Sequence, residues 1–152
     1  MVLEGNIDTI FQNIFNWFRG EIMRLTRFSD YAFRVLIHAA KTEDEMITIE
    51  QTAEFHGISR MHLMKVVNLL IKEGFLKGVR GRNGGFHLAR EPEEINLGAV
   101  LRVTEPDFQL ADCFESKNKC QFSQKCGLSL LMKQGLSQFI AIFDQRTLAD
   151  IL

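Results

Sequence analysis

The chain has 152 residues, enough for one domain of ordinary size with an appendage. Its 46% apolar content supports a real core and argues against bulk disorder, and its net charge of −1 argues against a uniformly basic nucleic-acid binder, so any such affinity must rest on local charge. Its three cysteines all lie between positions 113 and 126; this odd, clustered set is a poor disulfide framework and suits a metal or redox role in a reducing compartment.

Residues 1–22 repeat Ile7, Ile10, Phe11, Ile14, Phe15 and Phe18 at helical spacing, which predicts an amphipathic extension of unknown role. It reads either as a docking helix or as an accessory helix packed on the domain; the low positive charge of its polar face weakens a membrane-surface role. No basic start precedes it, and Asp8, Gln12, Asn13, Asn16 and Arg19 interrupt it, so it does not read as a signal peptide. No stretch reaches the roughly 18 uninterrupted apolar residues of a spanning helix. The expectation is a cytoplasmic protein without a membrane partner.

Met23 opens what reads as a fresh start. Residues 26–41 predict a first helix with an inward stripe of Phe28, Ala32, Val35, Leu36 and Ala39. Thr48, with Gln51 three residues on, is a capping box for a short helix from Ile49 to His56, ended by Gly57. Ser59 caps a further helix that runs to Glu73 and stops at Gly74. Two short strands, Phe75–Val79 and Phe86–Leu88, flank Asn83-Gly84, a strong hairpin signal. Asn96 caps a helix from Leu97 to Val103. The cysteine segment reads as a loop, and from Leu128 to Phe143 helical periodicity returns.

Helix, short helix, turn, helix and Gly-rich hairpin, in that order, describe a winged helix-turn-helix. The predicted fold class is mainly α with a small β-hairpin wing and a long C-terminal dimerisation helix. Its parts are the extension 1–22, a DNA-binding domain over 23–95, and a cysteine loop with dimerisation helix over 96–152. In the Ser59–Glu73 helix, Leu63, Val66, Val67 and Leu70 face inward, and Met61, Lys65, Asn68 and Lys72 fall together on the opposite face. Ser59, Arg60 and His62 lie near its N-terminus, where base-edge contacts are usual in this motif. Residues 59–90 hold seven Lys or Arg against one acid, Glu73. Such a local excess is what phosphate neutralisation requires. Arg80, Arg82 and Asn83 at the wing tip complete the candidate DNA surface, with the two arginines placed to enter a narrow minor groove. A solvated basic face is the competing interpretation of the charge alone.

Cys113-x6-Cys120-x5-Cys126 lacks the Cys-x2–4-Cys knuckle of a tight zinc site. Soft thiolates on a loop suit an iron–sulfur cluster, a structural zinc or no ligand at all, and a cluster usually takes four protein ligands. Paired carboxylates, a nucleophile–base motif and a phosphate loop are all missing from the sequence, so an enzyme is not expected.

Together these pieces resemble the winged-helix iron–sulfur repressors. The resemblance rests on Met23 to Tyr31, Ser59 to Lys65, Val79 to Phe86, the cysteine loop with its long following helix, and Thr147-Leu148-Ala149-Asp150. It covers roughly 23–152 and implies a homodimer built on the C-terminal helix through Leu128, Leu131, Met132, Leu136, Phe139, Ile140 and Phe143. It also implies a palindromic double-stranded DNA operator and a cluster held by Cys113, Cys120 and Cys126, with [4Fe-4S] favoured over [2Fe-2S]. The branch that monitors cluster status carries a His three residues after the last cysteine; here that residue is Ser129. The chain is more similar to the nitric-oxide-sensing branch, in which an early Asp from the partner subunit completes the ligand set. The matching position is Asp30, an acid that a helix N-terminus would also favour on its own. The alternatives are an iron or cluster-status regulator of the same fold and a zinc-stabilised DNA-binding module.

Overall fold

The fold was obtained as a computed structural model, which describes residues 24–42, 46–81, 84–111, 114, 120 and 126–152. The extension 1–22, the wing residues Arg82 and Asn83, and Cys113 lie outside the described residues. Local signals set the helix starts. The helix α1 (Arg27–Lys41) begins where the Thr26 hydroxyl accepts from the Ser29 N–H, and α2 (Ile49–His56) begins at the Thr48–Gln51 capping box. Gly57 ends α2 at φ 62°, a left-handed conformation in which a Cβ would be strained. Two residues later Ser59 caps α3 (Arg60–Lys72) by accepting from the His62 N–H.

The chain then forms an antiparallel pair, β1 (Leu76–Val79) and β2 (Gly85–Leu88), with Leu76 opposite Leu88 and Val79 opposite Gly85. The connection spans residues 80–84, longer than a two-residue Asn-Gly turn. The hairpin is also anchored on the far side, where Ile47 and Phe86 exchange both backbone hydrogen bonds. Gly85 is required there, because a Cβ would stand 2.5 Å from the Ile47 carbonyl oxygen.

The helix α4 (Leu97–Thr104) is capped by Asn96, and α5 (Gly127–Asp144) packs on it. The core lies where α1 meets α2, α3, α4 and β2. Ala32, Val35, Leu36, Leu63, Val66, Leu70, Phe86, Ile95, Val100 and Leu148 are all almost wholly buried in it. Phe28, expected to be inward, is half-buried against its edge. Truncating a central residue such as Leu70 to Ala would cost about 2–5 kcal/mol. The C-terminus closes back onto this core, with the Leu148 N–H donating to the Ile95 carbonyl at 2.8 Å.

Two polar ties place the C-terminal part on the core. Arg102 forks onto the Asp144 carboxylate at 2.5 and 2.7 Å, and the Asn96 amide donates to the Asp144 carbonyl at 2.7 Å. At the other end of α4, the Thr26 N–H donates to Glu105 Oε1 at 2.9 Å. The start of the cysteine segment, just after Glu105, is therefore tied to α1, while the far end of the helix that follows it is tied to α4. Among the described residues, no helix is long and apolar enough to cross a membrane.

Candidate nucleic-acid interface and cysteine site

The helix α3 is seated by Leu63, Val66, Val67 and Leu70, all buried, and turns a complete outer face to solvent. Ser59, Arg60, Met61, His62, Lys65, Asn68 and Lys72 are all exposed on or beside that face. Arg60 reaches back to Glu50 of α2, with Nη2 2.7 Å from Oε1. Both side chains are more than half exposed, so the pair contributes little to stability, but it orients the guanidinium along the helix-turn-helix. Met64 is 42% exposed on the same face and was not singled out from the sequence. Arg80 and Gly81 of the wing are exposed. The Gly84 N–H closes the tip by donating to the Gly81 carbonyl at 3.0 Å.

The structure adds a cluster that the sequence did not predict. His38 of α1 and His56 of α2 lie ring to ring at 5.2 Å, with Phe55 against both. His38 Nδ1 and His56 Nε2 are buried without a hydrogen-bond partner. Burial lowers the pKa of both imidazoles below the usual 6.5, and for His56 the neighbouring His38 and Arg34 push in the same direction while Asp30 opposes them. Beside His56 opens a cleft of about 530 Å³, lined by Arg24, Arg27, Asp30, Tyr31 and Arg34 among others. The Asp30 carboxylate is paired there with Arg34 Nε at 3.0 Å and is about half exposed.

Cys126 caps α5 by position but makes no capping hydrogen bond through its side chain, and Cys120 is exposed. Among the described residues no three His, Cys, Asp or Glu side chains gather as a metal site.

Most apolar residues of α5 fall on two faces, and Leu130, 60% exposed, lies on neither. Phe143 packs against the core and stacks near Phe33, with ring centroids 6.0 Å apart. Leu136 and Ile140 are half-buried on the side that turns toward Arg102 of α4. Leu128, Leu131 and Ile142 are 62–64% exposed and Phe139 is 39% exposed. At 100° per residue these four fall with Gly135 on one stripe. Ile142 belongs to this exposed stripe although it was not predicted to.

Residues 25–152 match the Rrf2 family, described as an iron-dependent transcriptional regulator. The HTH-type transcriptional regulator NsrR of Bacillus licheniformis is 46% identical over 132 residues, spanning 86% of this chain and 92% of that protein. NsrR of Bacillus subtilis is 43% identical over the same length, spanning 86% of this chain and 90% of that protein. Among solved structures, the fold is similar to that of T. potens IscR, with TM-score 0.68 and 24% identity over 85% of each chain. The match along nearly the whole described length, and the helix, turn, helix and wing that carry it, place this chain in the Rrf2 family as a transcriptional regulator of the NsrR type and not an enzyme.

Proposed function

We propose that this protein is a cytoplasmic, homodimeric DNA-binding repressor that responds to nitric oxide through an iron–sulfur cluster held by Cys113, Cys120 and Cys126. The observation that carries the reading is the position of Cys126. It stands at the N-cap of α5, the helix whose outer apolar stripe is exposed among the described residues, so the cysteine loop and the proposed dimer contact share one element.

The donor set fits the group. Thiolates without a zinc knuckle are soft ligands on a loop, and the Cys126 sulfur is not used for capping. When bound, the cluster would supply iron that reacts with nitric oxide. The chain's own part is mechanical. Cys120 and Cys126 would fix the loop, Glu105 and Thr26 would hold its start on α1, and α5 would set the spacing of two α3 helices on a palindromic operator. Dimeric readers of this type need half-sites about one helical turn apart, so a small change in that spacing lowers affinity. Ser59, Arg60, Met61, His62, Lys65, Asn68 and Lys72 would enter the major groove, and Arg80, Arg82 and Asn83 would bind at the flanking groove. Asp30 would be a fourth ligand only across the dimer, after leaving Arg34.

Anaerobic purification with an absorption spectrum and iron and sulfide assays tests the cofactor. Titration with nitric oxide, set against treatment with an iron chelator, then tests the signal by operator release. Iron with sulfide and release at stoichiometric nitric oxide support the reading. Tightly bound zinc without sulfide overturns it. Release by chelator alone favours the iron-status alternative, which the iron-dependent description of the family also supports.

A further inference from the structure

The reading face of α3 is not wholly polar. Met61 is 68% exposed and Met64 42% exposed, and both lie in its first half. That is the end of a recognition helix nearest the base edges. At 100° per residue they share the outward face with Lys65 and Asn68. A thioether side chain offers no hydrogen-bond donor, and the apolar feature that a major groove presents is the C5-methyl group of thymine. Asn68, one turn beyond Met64, carries an amide of the kind that pairs bidentately with adenine. The two methionines are separated by about 4.5 Å along the helix axis, close to the roughly 3.4 Å rise of one base step.

We propose that Met61 and Met64 are specificity-determining residues that each contact a thymine methyl group, at neighbouring base pairs of the half-site. The proposal rests on the assignment of α3 as the DNA-reading helix. Their flexibility suits the role, because an unbranched side chain with three rotatable bonds can settle on a methyl group without strain. Lys65, beside Met61 on the same face, supplies charge to the backbone or a purine edge. The thymine preference comes from the apolar pair.

Full-length protein purified anaerobically is used to select duplexes from a randomised library. Each enriched duplex is then resynthesised with deoxyuridine replacing one thymine at a time, which removes only the methyl group. Loss of one contacted methyl should raise the dissociation constant about fourfold, and loss of both in a half-site about fifteenfold. Met61→Gln should abolish the thymine–deoxyuridine difference at one position and Met64→Gln at the neighbouring one, with unchanged thermal melting because both side chains are exposed. Sequence-selective binding that ignores deoxyuridine substitution, or discrimination that persists in both variants, overturns the proposal while leaving DNA reading by α3 intact. Failure to enrich any duplex overturns both.

Discussion

Leu131→Asp tests whether the outer stripe of α5 is the dimer contact. Leu128, Leu131, Gly135, Phe139 and Ile142 repeat at about 3.5-residue spacing, the seam of a two-helix contact. A Cβ at Gly135 would meet nothing within 4 Å, so its surface is open for close helix approach. Leu131 is 64% exposed in the protomer. Covering that fraction of a leucine contributes about 1–2 kcal/mol, from a full burial of about 1.5–3 kcal/mol. A twofold interface counts the residue twice, giving about 2–4 kcal/mol, or a dimer dissociation constant weakened by about 30- to 1,000-fold before any penalty for burying the carboxylate. Sedimentation equilibrium over a wide concentration range reads that shift directly, with circular dichroism to check that the protomer stays folded. Phe143→Asp is the contrasting variant. Its ring rests on the core beside Phe33, so it should lower the melting temperature of the protomer rather than act on assembly alone. A Leu131→Asp protein that remains dimeric at the wild-type dissociation constant would refute the assignment of this stripe.

Further outcomes follow from the other sites. Cys126→Ala should abolish or strongly destabilise iron and sulfide binding under anaerobic purification while leaving the helical circular dichroism unchanged; retention of a full complement counts against Cys126 as a ligand. Arg82→Ala should weaken DNA binding and reduce the slope of log affinity against log salt by about one if a single phosphate contact is lost, and an unchanged slope and affinity in the Arg82→Ala, Lys65→Ala double variant would reject this surface. The His38–His56 pair should make stability pH-dependent. Folding lowers both pKa values below 6.5, so the unfolded chain binds more protons in that range, and the contribution present above about pH 6.5 is lost as pH falls. His38→Phe should flatten that loss of melting temperature between about pH 7.5 and 5.5, and an unaltered pH profile would discount the pair.

The helix starts were legible because they are local chemistry. Thr48 with Gln51, Ser59 and Asn96 each cap the helix expected of them, since one side chain and one N–H three residues on suffice. The helix-turn-helix and the wing followed in order. Contacts between distant parts of the chain were not legible. The Arg102–Asp144 fork and the Thr26–Glu105 bond join residues 42 and 79 positions apart, and nothing in the spacing of either pair marks it. The helix α5 was recognised as a helix, but its apolar residues go almost all the way round. Periodicity therefore could not tell Phe143, which completes the core, from Ile142, which faces out. His38 and His56 looked unremarkable singly, and only the packing of α1 on α2 makes them neighbours.

These long-range ties bear on how a change in the cysteine loop could reach the DNA surface. The loop begins just after Glu105, whose carboxylate accepts from Thr26 at the cap of α1. It ends at Cys126, the cap of α5. The helix α1 packs directly on α3, and α5 is fixed to α4 by Asp144 and through α4 to α1. A rearrangement of the loop can therefore act on α3 by two routes: within the protomer through α1, and across the proposed dimer through the angle of α5. The first would alter the seating of each reading helix, and the second only the distance between two unaltered ones. Glu105→Gln weakens the first tie and leaves the second. If the protomer route dominates, this variant should bind even a single half-site more weakly. If the dimer route dominates, half-site affinity should be unchanged and only full-site release by nitric oxide should respond to changes in α5. Half-site affinity that is unaltered in Glu105→Gln would remove α1 from the pathway.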